Sequence, residues 1–330
     1  MVFTKETWQS VGAGFSIYDC AIRSPNRQCF LMYEKQESPH RDPLPAIRFV
    51  FTYNDESDPP ERYYFQQFGH FGFARLAFCQ HPIPNYAAVD TSGQVFGYDK
   101  DRSDEEPEHP RDLPSSDLAG VVNQVVRIGQ SIYTVGGPRR LHKRLGVGQW
   151  QDLSKNVPWP KDVATPGNGL KYMWRDASGF SESDIYVAGG EGDVMRFDGQ
   201  KFSKVAFPSN ELLHNVHCAG DGRVYIGGNM GSLYVGRENT WKKLAGGDFS
   251  VPWKDIAWFA GKLWCGSDYG LWTLEGDKLV RAQVPADVQL TSGAIDISPD
   301  GKHMLTAGPD GASLFDGKNW QVLFSRHDFE

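Results

Sequence analysis

Asp184-Ile-Tyr-Val-Ala-Gly-Gly-Glu-Gly192-Asp-Val-Met-Arg-Phe-Asp-Gly199 contains an apolar run, a glycine-rich break, an alternating run and an Asp-Gly corner. The pattern returns at Arg223-Val-Tyr-Ile-Gly-Gly-Asn-Met-Gly231-Ser-Leu-Tyr-Val-Gly236 and at Lys262-Leu-Trp-Cys-Gly-Ser-Asp-Tyr-Gly270-Leu-Trp-Thr-Leu-Glu-Gly276. A further copy is His303-Met-Leu-Thr-Ala-Gly-Pro-Asp-Gly311-Ala-Ser-Leu-Phe-Asp-Gly317. Gly192, Gly231, Gly270 and Gly311 thus recur every 39 to 41 residues, and a period near forty marks a propeller or a solenoid. Each unit reads as a strand, a turn needing positive φ, a second strand and a second turn.

Working outward, each unit is followed by an outer strand with one large apolar residue among polar ones, as at Trp150, Phe202, Trp241 and Trp320. An innermost strand precedes it, as at Asn215-Val-His-Cys-Ala, Asp255-Ile-Ala-Trp-Phe and Gly293-Ala-Ile-Asp-Ile. Four strands per repeat make one blade. Two degenerate units around Gly93 and Ile132 raise the count to six, and four apolar runs between residues 15 and 70 supply a seventh. The expectation is an all-β chain: a single β-propeller domain over 1–330, with seven blades (six as the alternative) of four antiparallel strands each. Residues 75–324 carry the clear repeats and 1–70 are least regular. Thr7 to Val11 reads as a detached outer strand that either helps to close the ring or, since Trp320 already supplies an outer strand at the far end, is a supernumerary edge.

The stretch from Tyr172-Met-Trp-Arg through Asp184-Ile-Tyr-Val-Ala-Gly to Phe197-Asp-Gly199 resembles a common bacterial propeller repeat, related to the tryptophan-aspartate and kelch-like types. In that repeat a Trp-bearing inner strand leads to Asp-Val-Tyr-Ala-Val-Gly, a Gly turn, a Tyr-Asp-Gly corner and a Trp. The resemblance implies the fold and leaves function open, because propellers host binding proteins and enzymes alike. The paired dipeptides of tryptophan-aspartate repeats are missing beside Ile297-Ser-Pro-Asp-Gly-Lys.

Composition agrees with strands and turns: 36 glycines and 13% aromatic residues in 330, with few long helix-like runs. A formal net charge of −7 repels phosphate backbones, so no nucleic-acid partner is expected. No run approaches a membrane span and the first residues lack an apolar leader, so the sequence predicts a cytoplasmic protein without a membrane partner. Five scattered cysteines (Cys20, Cys29, Cys79, Cys218, Cys265) fit reduced thiols better than a disulfide framework.

Catalytic signatures are missing. His214 and His217 lie three apart on a strand, a spacing that does not converge on one metal ion, so neither metal nor cofactor is expected. Asp176, Asp255 and Asp296 stand in or beside inner strands; facing the channel they would raise one another's pKa, and the plainer reading leaves them solvated or pairs them with Arg175 and Lys254. No catalytic residue is assigned.

Two features point to a protein partner. The run Pro138-Arg-Arg-Leu-His-Lys-Arg144 replaces a Gly turn and strand with basic side chains, so Arg139, Arg140, Lys143 and Arg144 make either a docking patch for an acidic partner or a charged blade edge. The loops entering inner strands carry Trp159, Lys161, Trp174, Arg175, Trp253 and Lys254, the composition of an interface hot spot; Trp174 and Trp253 would serve equally as packing between blades. Segments 101–112, 37–42 and 55–61 read as polar loops or hairpin tips.

These residues predict a non-catalytic, protein-binding propeller, in its most concrete form a bacterial immunity protein that sequesters and neutralises a toxin through its loop face. The alternatives are a hydrolase or lyase acting on a sugar or lactone in the channel, and a scaffold subunit of a larger complex.

Overall fold

The computed structural model describes residues 2–35, 45–99, 102–110, 121–157, 160–163, 165, 168–245 and 252–329. Seven four-stranded antiparallel sheets run over 15–68, 74–106, 121–152, 174–204, 213–245, 255–281 and 294–325, each built from four consecutive strands. The chain is a seven-bladed β-propeller. Each blade begins with its inner strand: Phe15–Ser24, Ala74–Cys79, Val121–Ile128, Trp174–Ser181, Leu213–Cys218, Asp255–Phe259 and Ala294–Ile297. Successive inner strands contact one another, and the first touches the last.

The repeated glycines do the work their spacing implies. Gly192, Gly231, Gly270 and Gly311 stand just before, or at the start of, the third strand of successive blades, with φ of +69°, +67°, +138° and +149°. A Cβ on Gly192 would lie 2.0 Å from the Ser209 carbonyl oxygen, so both conformation and space demand glycine there. Between blades the core is apolar and aromatic. Phe49, Phe51, Phe78, Phe96 and Tyr86 fill the first junction, and Trp174, Val187 and Phe197 fill the one between blades 3 and 4.

The amino-terminal segment differs from expectation. Residues 7–11 belong to a short helix, α1 (Lys5–Val11), rather than to an outer strand. Thr4 and Thr7 exchange side-chain and backbone hydrogen bonds in a capping box, and Trp8 and Val11, three apart, share the buried face. Trp8 stacks on Phe329 at 5.2 Å and touches Phe324 and Phe3 at 5.5 Å each. Arg48 donates to the carbonyls of Ser10 and Val11, both at 2.8 Å. The last blade borrows no strand from the first, and this aromatic plug packs over the junction between them.

A second correction concerns 101–112, expected to be a polar loop: Arg102–Glu106 is the outer strand of blade 2. Residues 55–61 do form a hairpin tip, ending in a 3-10 turn, whereas 37–42 lie outside the described residues. All five cysteines are free thiols.

Candidate functional site

Seven inner strands surround a channel whose central cavity measures about 180 Å³ and receives residues from every blade. Four carboxylates line it, and each is bonded to backbone. Asp176 accepts from the amide of Ala177 in its own strand and from that of Val216 in the next blade, both at 2.8 Å. Asp19 does the same with Cys20 and Leu76, Asp296 with Ile297 and Ile22, and Asp255 accepts from Ile295 at 2.9 Å. Register shifts beside Asp19 and Asp176 turn these side chains along the ring. The carboxylates are staples between blades, and Asp296 is the one that joins the last to the first.

Burial decides their protonation. It pushes Asp176 up to about 8, the charge of Asp255 adding to it, and Asp255 up to about 7, the charge of Asp19 adding there; Asp19 and Asp296 are raised as well, chiefly by burial. Neighbouring carboxylates therefore do raise one another in part, Asp255 acting on Asp176 and Asp19 on Asp255, while they form no ion pair with Arg175 or Lys254. Lys254 pairs with Asp268 at 2.8 Å, and Asp296 faces Arg127 at 3.7 Å. Asp19 is a member that the sequence reading missed, though Tyr18-Asp19-Cys20-Ala21 and Arg175-Asp176-Ala177 share the same Asp-then-small signature.

The two histidines do not converge. His217 accepts from the Trp258 amide at 2.9 Å, and burial drives its pKa down to about 4. His214 bonds the Asn229 side chain at 2.7 Å, its pKa lowered by burial and also by the charge of Arg175. Among the described residues no three His, Cys, Asp or Glu side chains are placed to hold a metal ion. No described helix is long and apolar enough to cross a membrane.

Above the carboxylates the channel opens into a mouth of about 540 Å³, walled in part by Tyr18, Phe73, Arg75, Arg175, Lys254 and Tyr269. In an up-and-down blade the loop entering the first strand and the turn joining the second to the third emerge at the same end. Phe73 and Leu170 lie in loops entering inner strands, as does Leu290 at the end of α2 (Ala286–Leu290), and Met230 and Tyr269 lie in second-to-third-strand turns. All five are more than half exposed. Tyr269 also borders a groove of about 510 Å³ lined by Leu290, Arg281 and Asp310. Apolar side chains bared together on one face are what a protein partner covers.

The expected hot-spot residues divide. Lys161 is exposed, and Arg175 and Lys254 line the mouth, but two of the tryptophans are interior. Trp174 is fully buried and donates its indole N–H to Asp193 at 3.1 Å; Trp253 is 3% exposed and donates to the Gly231 carbonyl at 3.2 Å. They are packing residues. Trp159 lies outside the described residues. Phe73, Leu170, Met230, Tyr269 and Leu290 take the exposed role, and only their positions just ahead of inner strands or in blade turns could have signalled them.

The basic run is largely neutralised. Arg139 occupies the turn at φ +51° and grips Asp193 with two nitrogens at 2.7 and 2.8 Å. Arg140 and Lys143 follow on the third strand of blade 3, with Lys143 paired to Glu182 at 2.7 Å. Arg144 is 1% exposed and bonds Glu106 at 2.5 Å and Asn85 at 3.0 Å. Arg144 is therefore interior, tying blade 3 to blade 2, and unavailable as a surface contact.

Among known proteins, no family model matches the chain. It is 28% identical to Immune protein Tsi7 of Pseudomonas aeruginosa over 216 residues, which is 64% of this chain and 68% of that protein. Of solved structures, YCF48 bound to D1 peptide superimposes with a TM-score of 0.61 at 12% identity, covering 95% of this chain and 94% of that one. The WD40 β-propeller domain of Doa1 gives 0.57 at 12% identity, covering 89% and 90%. These structural likenesses speak to fold alone, and by fold the chain is a seven-bladed β-propeller.

Proposed function

We propose that this chain is an immunity-type protein that binds a protein toxin through the loop face around the channel mouth. The observation that carries the reading is the set of five bared apolar side chains, Phe73, Leu170, Met230, Tyr269 and Leu290, gathered on that face. A closed ring presents them already in place, so little ordering entropy opposes association. The relative named an immune protein supports the same reading. The rival reading, a hydrolase or lyase in the channel, needs carboxylates free to meet a substrate, whereas Asp19, Asp176, Asp255 and Asp296 each hold a backbone amide of the adjoining blade.

Co-expression with the product of the adjacent gene tests the proposal through survival of the host. Wild-type protein should restore growth, and Phe73→Asp with Tyr269→Asp should abolish protection while leaving the fold intact, since both side chains are exposed. Each hot-spot loss of about 2 kcal/mol weakens binding about 30-fold. Equal survival with and without the wild-type protein, or full protection by the double variant, would refute the reading.

A further inference from the structure

We propose that the channel mouth is a receptor for an acidic side chain of the partner protein, with Arg175 as its anchor and the rings of Phe73 and Tyr269 as its apolar rim. This deepens the immunity reading and rests on it for the identity of the partner class.

Arg175 precedes Asp176 on the inner strand of blade 4 and lines the mouth. It forms no hydrogen bond or ion pair with the described residues, and its Nε is shut off from solvent without a partner. Arg175 is only part-buried, so its terminal nitrogens can still reach the mouth, whereas the shielded Nε has nothing to receive its proton, which is a cost. A carboxylate removes that cost and matches the planar fork with two parallel bonds.

Four other cations of this face are engaged. Arg139 holds Asp193, Lys254 holds Asp268, Arg281 donates to the Tyr269 carbonyl, and Arg75 lies 4.4 Å over the Tyr18 ring while donating to its hydroxyl. The carboxyl next in sequence, Asp176, is turned to the backbone amides of Ala177 and Val216, and no ion pair joins it to Arg175. The positive charge of Arg175 is felt nearby: it helps to lower the proton affinity of His214 on the same wall. In a chain of net charge −7, this is a local electropositive seat. A free small anion would leave Phe73 and Tyr269, 55% and 69% exposed, still facing water. An acidic residue presented on a protein surface covers them as it docks, placing a desolvated charge pair inside an apolar rim.

The test uses the full-length protein and a synthetic hexapeptide rich in Asp and Glu flanked by Leu, with the matching Asn and Gln peptide as control, followed through the His214 ring signal by NMR. The acidic peptide should produce a saturable shift and the amide peptide none. Arg175→Gln should weaken binding at least about tenfold. Arg175→Lys, which keeps the charge and loses the fork, should fall between, and Lys318→Gln, exposed on the opposite face, should match wild type. Far-UV circular dichroism checks that each variant is folded. Absence of a saturable shift, equal binding of the amide peptide, or unchanged affinity in Arg175→Gln would overturn the proposal. If those results came with intact protection in co-expression, the acidic-side-chain receptor would fall and the immunity reading would stand; peptide binding without protection would do the reverse.

Discussion

Replacing Arg144 by Met should be among the most damaging single changes in the molecule. The Arg144 and Glu106 side chains are 0% and 2% exposed, their nitrogen and oxygen are 2.5 Å apart, and they join the third strand of blade 3 to the outer strand of blade 2. Methionine fills most of the arginine's volume, so the loss is electrostatic: the Glu106 carboxylate is left buried without its counter-charge. Breaking a buried pair from one side costs about 3–5 kcal/mol. With about 2.1 cal/mol/K of unfolding entropy per residue, a chain of 330 residues should lose about 4–7 °C of Tm. Calorimetry at pH 7 measures this directly. Glu106→Gln added to Arg144→Met removes the stranded charge while keeping an acceptor for the Gly148 amide, which lies 3.3 Å from Glu106. The double variant should recover about half of the loss, or about 2 kcal/mol. A single variant that loses less than about 1 kcal/mol, or a double variant as unstable as the single, would refute the assignment of this pair as an interior tie.

Stability should fall as pH rises from 5 to 8. Asp176 and Asp255 have folded-state values of about 8 and about 7 against an ordinary 3.8, so the folded chain binds more protons than the unfolded one across that window. Each group contributes a slope of at most about 1.4 kcal/mol per pH unit; a Tm that climbs over the same range would contradict the burial of these carboxylates. Trp8→Ala should cost about 3–5 kcal/mol and speed amide exchange in blades 1 and 7 while sparing blade 4; uniform acceleration around the ring would show that α1 does not act at their junction. Gly192→Ala should lose more than about 1 kcal/mol, because the new Cβ meets the Ser209 carbonyl, whereas Gly276→Ala, with open space around it, should lose less. Equal losses in a urea titration would remove the backbone argument.

The residues bound to backbone were the readable ones. Positive-φ glycines, alternating strands and Asp-Gly corners act over a few residues, so blade number and strand order followed from spacing, including the irregular first blade. Helix α1 was readable too, through Thr4, Thr7 and the Trp8–Val11 spacing; it was mistaken for a strand because Trp8 resembles the outer-strand tryptophans at 150, 241 and 320. The basic run illustrates the opposite case. Its counter-charges Glu106, Glu182 and Asp193 stand 38, 39 and 54 residues away, and no local pattern announces them.

The amino-acid order therefore determined by itself where the chain turns and which strands pair, since steric limits on φ and the two-residue period of a strand operate between near neighbours. Only the closed ring decided which charges are cancelled and which rings stay wet. Trp174 and Trp253 disappear because adjoining blades cover them, Phe73 and Tyr269 stay bare because no described residue covers them, and the carboxyl beside Arg175 in sequence is turned instead to the amides that hold two blades together.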